Sequence, residues 1–100
     1  MKGVIYWTNK NSRERAEALF EQTIANYHFI NIEPIQINHQ RNKMLAQFEN
    51  GDMWQCIAPC KNLRGIKANL VYIPYEADGY LKEIAISTAV AQPYHGVVYY

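Results

Sequence analysis

The sequence predicts an α/β domain in which a mixed β-sheet with a β-hairpin is covered by two helices. Three observations predict it: an apolar run at residues 3–8, helical patterns at 11–28 and 80–92, and a hairpin signal between them. The chain has 100 residues, of which 49% are hydrophobic and 19% are charged. That size suits one domain, and that composition excludes a disordered chain. We expect a single domain, residues 1–100, with the element order β-α-β-β-β-β-α-β.

The first part of the chain predicts a buried strand and then an amphipathic helix. Continuous hydrophobicity at residues 3–8 is typical of a strand that is buried on both faces. Helical spacing follows over residues 11–28, where Asn11 and Glu14 fit a capping box. We expect the apolar stripe of this helix to pack on the sheet. Its members are Ala16, Leu19, Phe20, Thr23, Ile24 and Tyr27.

The middle of the chain predicts a strand and a β-hairpin. Residues 35–39 alternate apolar and polar side chains, which is typical of a half-buried strand. Two strand-like runs, 44–49 and 53–58, then flank Asn50 and Gly51. Because Asn-Gly is a favoured pair in two-residue hairpin loops, we expect a type I′ turn there.

The last part of the chain predicts two strands that are separated by a second helix. Residues 69–73 and 96–100 have the composition of strands. Residues 80–92 have helical spacing, and Asp78 is a plausible N-cap for this helix. Its apolar stripe consists of Leu81, Ile84, Ala85 and Thr88.

Several classes of function lack their motifs in this chain. We expect no signal peptide, no membrane span and a reducing cytoplasm, in which the thiols of Cys56 and Cys60 stay free. Those cysteines and the isolated His28, His39 and His95 do not make a zinc site. Neither a Walker A loop nor a Gly-x-Gly-x-x-Gly loop is present. No cofactor and no metal are therefore predicted.

Two carboxylates are the candidates for a catalytic metal site. Glu76 and Asp78 follow a buried strand, and ligands of α/β folds bind beyond the carboxyl ends of strands. Carboxylates at that place could bind Mg²⁺. The alternative for Asp78 is the helix cap described above, which requires no function. We keep this pair as the secondary, metal-binding candidate.

The basic segment, residues 60–67, is the main candidate for a binding site. Its cationic side chains suit contacts with phosphates or with an acidic protein surface. The alternative is a solvated loop between two strands. Trp54 could stack on a nucleic-acid base, and its alternative is a core position. The residues that we assign to binding are Lys61, Arg64 and Lys67, with Arg41 and Lys43 if the hairpin brings them close.

Three short motifs follow one another along the chain in a recognisable order. They are Phe-Glu-Asn-Gly-Asp at 48–52, Asn-Leu-Arg-Gly at 62–65 and Ala-Asn-Leu-Val-Tyr-Ile at 68–73. This order resembles the ATPase domain of phage large terminases, in which a hairpin leads to an Arg-Gly loop and then to the Walker B strand. The resemblance extends to the strand and helix at 3–7 and 11–28. It implies that strand 69–73 lies parallel to strand 3–7, with the helix packed against the sheet.

The chain departs from that family at the catalytic positions. The Walker A loop is missing, and Pro74 and Tyr75 stand where the family carries the Asp-Glu pair of Walker B. Phosphoryl transfer then lacks its phosphate cradle, its metal ligand and its general base. The resemblance therefore implies a truncated terminase-like core without ATPase activity.

The prediction that follows is a small, non-enzymatic phage or prophage protein that binds or inhibits a protein partner through the basic segment. The partner would be the packaging machinery or a host protein. One alternative is a weak nucleic-acid-binding protein that uses the basic segment and Trp54. Another is a Mg²⁺-dependent nuclease, or a degenerate nucleotide hydrolase, that uses Glu76 and Asp78. Because residues 97–100 suggest an exposed edge strand, we also predict a homodimer.

Overall fold

A computed structural model describes residues 1–40, 43–58, 67–90 and 96–100. Within them the chain forms two helices and six strands, so the α/β class and the element order are confirmed. The helices are α1 (Lys10–Phe29) and α2 (Gly79–Val90). The strands are β1 (Lys2–Tyr6), β2 (Pro34–Gln40), β3 (Lys43–Phe48), β4 (Met53–Ile57), β5 (Leu70–Ile73) and β6 (Gly96–Tyr99). Neither described helix offers an apolar stretch long enough to cross a membrane.

The strands form one mixed sheet in the order β2-β3-β4-β1-β5-β6. Strand β1 is parallel to both of its neighbours, and Gly3 is paired with Trp54 on β4 and with Leu70 on β5. Strands β5 and β6 are also parallel, whereas β2, β3 and β4 form an antiparallel meander. The first strand of the chain therefore lies at the centre of the sheet.

The two helices cover opposite faces of the sheet. The connection from β1 through α1 to β2 runs toward one edge, and the connection from β5 through α2 to β6 runs toward the other. Because such crossovers are nearly always right-handed, opposite directions put the helices on opposite faces. Alternation along β1 agrees: Ile5 packs with Phe20 under α1, whereas Val4 and Tyr6 pack with Leu81 under α2. One sheet thus separates two hydrophobic cores.

The cores differ in the size of their buried side chains. The core under α1 is built mainly from rings, and the ring centroids of Tyr27 and Phe48 are stacked 3.9 Å apart. Phe20 and Trp54 complete this aromatic group. The core under α2 contains many alanines. They are Ala68, Ala77, Ala85 and Ala89.

Helix α1 has a different N-cap from the one that the sequence pattern predicts. The cap is Asn9, whose Oδ1 accepts the backbone N–H of Ser12 at 2.9 Å, while Ser12 Oγ accepts the backbone N–H of Asn9 at 2.9 Å. Ser12 Oγ also accepts the N–H of Thr8 at 2.8 Å. The predicted box of Asn11 and Glu14 was wrong. The hydroxyl of the buried Ser12 satisfies two backbone N–H groups, whereas Glu14 in the alternative box would satisfy one.

The turn between β3 and β4 is a three-residue loop, not the predicted type I′ turn. Phe48 donates its N–H to the carbonyl of Asp52 at 2.9 Å, and Gly51 donates to the carbonyl of Phe48 at 3.0 Å. Gly51 has a φ of 93°, but Asn50 does not have positive φ. A type I′ turn needs positive φ at both central residues, whereas a type I turn followed by one left-handed glycine does not. Asn50 Oδ1 anchors this loop by accepting the Asp52 N–H at 3.0 Å.

Strand β2 is an exposed edge strand, not the half-buried strand that its alternation predicts. Ile35 and Ile37 are 69% and 40% exposed. A bulge between Pro34 and Gln36 interrupts the register with β3. Helix α1 packs mainly on β1 and β4, and it reaches β2 through the edge-on contact of Phe20 with His39, whose ring centroids are 6.5 Å apart.

Candidate functional site

The carboxyl ends of β1 and β5 are where a fold of this topology offers a crevice for a ligand. The two strands are neighbours, and the connections that leave them run in opposite directions through α1 and α2. In open α/β sheets such a topological switch point leaves a crevice beyond the strand ends, where ligands bind. The residues around the ends of these two strands are therefore the first candidates for a ligand site.

Side chains from three segments of the chain meet at these strand ends. Tyr100 donates a hydrogen bond from its hydroxyl to the carbonyl of Tyr6 at the end of β1, and its Oη lies 3.5 Å from the carbonyl of Ser12. The Arg15 guanidinium carbon lies 5.4 Å from the ring centroids of both Tyr75 and Tyr100. Burial raises the pKa of Tyr100 far above the ordinary tyrosine value, so its hydroxyl stays a hydrogen-bond donor. We call Arg15, Tyr75, Glu76 and Tyr100 the switch-point cluster.

Both carboxylates that were candidates for binding Mg²⁺ are engaged by protein groups. Glu76 forms an ion pair with Arg15. Asp78 caps α2, because its Oδ1 accepts the N–H of Leu81 at 2.8 Å, as the helix-cap interpretation predicts. In the described ranges, no group of three or more His, Cys, Asp or Glu side chains could hold a metal ion.

Trp54 is a core residue that anchors a chain of hydrogen bonds. It is 3% exposed, and its Nε1 donates to the hydroxyl of Tyr27 at 3.1 Å. Tyr27 donates in turn to Asp52 Oδ2 at 2.6 Å, and Asp52 Oδ1 pairs with the Met1 ammonium at 2.7 Å. Burial, reinforced by the hydrogen bond to Asp52, raises the pKa of Tyr27 to about 12. The indole consequently has no free face on which a base could stack.

The basic residues are only partly described, and those that are described lie apart. Lys43 is exposed opposite Ile57, at the carboxyl end of β4 and therefore of β1. Lys67 is exposed at the amino end of β1, since the neighbouring Asn69 donates its N–H to the carbonyl of Lys2 at 2.8 Å. The structure does not bring these two lysines together. The other assigned residues, Arg41, Lys61 and Arg64, lie outside the described residues.

The thiol of Cys56 is free but unreactive. Burial, with a smaller contribution from the Glu17 carboxylate, raises the pKa of Cys56 to about 12. Since the thiolate is the reactive form, Cys56 is not a nucleophile at neutral pH. Cys60 lies outside the described residues.

Large apolar side chains are exposed beside β2. Phe29 and Ile30, at the end of α1, are 80% and 63% exposed, and Ile35 and Ile37 on β2 are 69% and 40% exposed. We call these four residues the apolar edge. Sequence reasoning missed it because amphipathic patterns assign apolar residues to the covered face. The available signal was that Phe29 and Ile30 continue past Tyr27, where the apolar stripe of α1 ends.

A second exposed group lies beside β6. Tyr75, Val98 and Tyr99 are exposed, and the Lys82 ammonium lies 5.7 Å from the ring centroid of Tyr99. Tyrosine offers a large contact area with little side-chain entropy to lose, so it is common in protein interfaces. This group and the apolar edge lie at opposite edges of the sheet.

Comparisons with protein-family models, with curated proteins and with solved structures give no significant match. The function must therefore be inferred from the geometry of the chain itself.

Proposed function

We propose that this domain is a non-enzymatic protein-binding module that acts through surface contact with a protein partner. The observation that carries the proposal is the apolar edge. Its large apolar side chains lie within residues 29–37, and Phe29 is 80% exposed. Exposure of several such side chains in one region is unfavourable in water and marks interaction sites on soluble domains.

The switch-point cluster supports a role without catalysis. A substrate that entered the crevice would have to displace the Tyr100 hydroxyl from the Tyr6 carbonyl and separate Glu76 from Arg15. Both contacts join segments that are distant in the sequence and so hold the strand ends together. The position at which this topology binds ligands thus serves to close the fold.

The terminase resemblance supplies the biological setting of the proposal. The resemblance implies β1 parallel to β5 with α1 against the sheet, an arrangement that α/β domains share in general. We propose a truncated terminase-like core, encoded by a phage or prophage and acting in the host cytoplasm. Its partner would be the packaging machinery or a host protein. Lys61, Arg64 and Lys67 remain a second proposed contact region.

The proposal also includes self-association. As the sequence predicts for residues 97–100, the last strand lies at an edge of the sheet. We propose a homodimer that uses this edge and leaves the apolar edge free for the foreign partner.

The test of partner binding is a pull-down from host-cell lysate treated with nuclease, followed by titration of the captured protein in purified form. We expect Phe29→Ser/Ile35→Ser to weaken binding at least tenfold, because these side chains supply the buried apolar area. Ile86→Ser is the matched control, since Ile86 is an exposed apolar residue of α2 that lies outside the apolar edge. Far-UV circular dichroism would check that each variant is folded.

The outcomes distinguish the alternatives. Loss of the partner only in Arg64→Ala/Lys67→Ala would move the contact to the basic segment. Recovery of nucleic acid alone, and only without nuclease, would favour the nucleic-acid-binding alternative and contradict our proposal.

A further inference from the structure

The two edge strands of the sheet differ in their protection against pairing with another strand. Strand β2 begins with Pro34 and has a bulge between Pro34 and Gln36. Strand β6 has the sequence Gly-Val-Val-Tyr, with no proline, no charged residue and a regular register against β5. Natural sheets protect their edges with prolines, bulges and charges, and an unprotected apolar edge is a template for a further strand. Only β6 is therefore suited to strand addition.

The outward-facing backbone groups of β6 can be assigned from its hydrogen bonds to the rest of the sheet. Gly96 donates its N–H to the carbonyl of Asn69 at 2.8 Å, and Tyr100 donates to the carbonyl of Ile73 at 3.0 Å. Because backbone groups alternate sides along a strand, Val97 and Tyr99 direct theirs away from β5. No strand of the described residues pairs with that side of β6.

We infer that β6 pairs with β6 of a second copy of this chain, antiparallel and with the two-fold axis at Val98. This inference rests on the proposed self-association and not on the foreign partner. In this register Val97 faces Tyr99 of the second copy, and each such pair exchanges both of its N–H···O=C hydrogen bonds. A β-branched residue opposite an aromatic residue is a favourable cross-strand pair. The two sheets then become one continuous sheet.

Self-complementarity selects a second copy as the occupant of this edge. Val97 and Tyr99 are the residues whose backbone groups point away from β5, and they lie on either side of Val98. A two-fold axis at Val98 therefore pairs each of them with the other in the second copy, as an isologous interface requires. The strand carries no charge that would repel its own copy.

The test places a charge at the two-fold axis and measures the molar mass of the protein by sedimentation equilibrium, at a chain concentration of tens of micromolar. We expect the wild type to have twice the chain mass of 11.6 kDa. Val98→Lys and Val98→Glu should each halve the mass, because like charges then lie directly opposite each other. An equimolar mixture of the two variants should restore the dimer. Gln36→Lys is the control, since Gln36 is exposed on the other edge strand, β2, and is not a member of the apolar edge.

Each outcome decides the inference. A monomeric wild type would overturn both the self-association and the register. A wild-type dimer that persists in Val98→Lys, or that is lost equally in Gln36→Lys, would overturn this register and leave self-association through another surface. Restoration in the mixture supports the register, and it also shows that the single variants remain folded. A mixture that stays monomeric would contradict the register.

Discussion

The core under α1 and the core under α2 are built on the same sheet by different means. Under α1, large rings fill the space, and Trp54 and Tyr27 must also satisfy their polar atoms. Under α2, alanines such as Ala85 and Ala89 let the helix lie on the sheet. The stability of the core under α1 therefore depends on the space left for Trp54, its largest residue. The stability of the core under α2 depends on its alanines not being replaced by larger residues.

The largest effect is expected where the aromatic core meets the sheet. A Cβ atom at Gly3 would lie 2.4 Å from Cε3 of the Trp54 ring, which is closer than any real contact. The ring is fixed by its hydrogen bond to Tyr27, so it cannot move aside without losing that bond. We expect Gly3→Ala to lower the free energy of unfolding by about 3 kcal/mol, the upper end for overpacking. Urea unfolding measures it.

A double variant shows whether this cost comes from the contact. Because the two residues touch, Gly3→Ala and Trp54→Leu should not be additive, and the pair should lose less than the sum of the single variants. A change below 0.5 kcal/mol in Gly3→Ala, on the order of a surface substitution, would contradict the close packing.

The second largest loss of stability is expected in the core under α2, which contains the alanines. Ala85 is fully buried under α2, and Ala85→Leu would add side-chain atoms where the helix meets the sheet. We expect a loss of about 2 kcal/mol in urea unfolding, because overpacking displaces the helix. Ile86→Leu, on the neighbouring exposed position, should change stability by less than about 0.5 kcal/mol. Equal stability of both variants would show that α2 is loosely packed.

The smallest effect concerns the carboxylate that ends the hydrogen-bond chain under α1. Burial alone would raise the pKa of Asp52, but hydrogen bonds from the Met1 ammonium and Tyr27 outweigh it and lower that pKa. A lowered pKa stabilises the fold above the ordinary carboxyl pKa of about 4, and this stabilisation is lost as the pH falls through the lower folded value. We expect the free energy of unfolding of the wild type to exceed that of Asp52→Asn by about 1 kcal/mol at neutral pH.

That difference should shrink as acid is added. Urea unfolding of both proteins from about pH 7 to about pH 2 measures it, and the comparison cancels the other carboxylates. A difference that stays constant with pH would show that the Asp52 charge does not stabilise the fold.

Patterns that depend on neighbours along the chain predicted the fold well. The strands, the two helices and the Asp78 cap follow from periodicity, β-propensity and short-range capping. The errors arose where a local pattern had a nearby competitor. Asn9 with Ser12 prevailed over Asn11 with Glu14, and a three-residue loop prevailed at Asn50-Gly51 because it needs only one left-handed residue.

The candidate site depends on strand order, which local patterns do not contain. Arg15, Glu76 and Tyr100 come from three distant segments, and they meet because β1, β5 and β6 are neighbours in the sheet. The exposure of β2 has the same cause. Its alternation is typical of a half-buried strand, but α1 packs mainly on β1 and β4, and Ile35 on β2 stays 69% exposed.

The central position of β1 has a consequence for how the chain folds. Strand β1 is made first during synthesis, yet its neighbours are β4 and β5, so Lys2 pairs with Met53 and Gly3 with Leu70. Contacts between such distant residues are slow to form, whereas the meander β2-β3-β4 needs only short loops. We expect the meander to form early and the apolar β1 to join it late. A nascent chain that ends before β5 therefore carries the buried residues of β1 without a second neighbouring strand, and it is the species most exposed to aggregation.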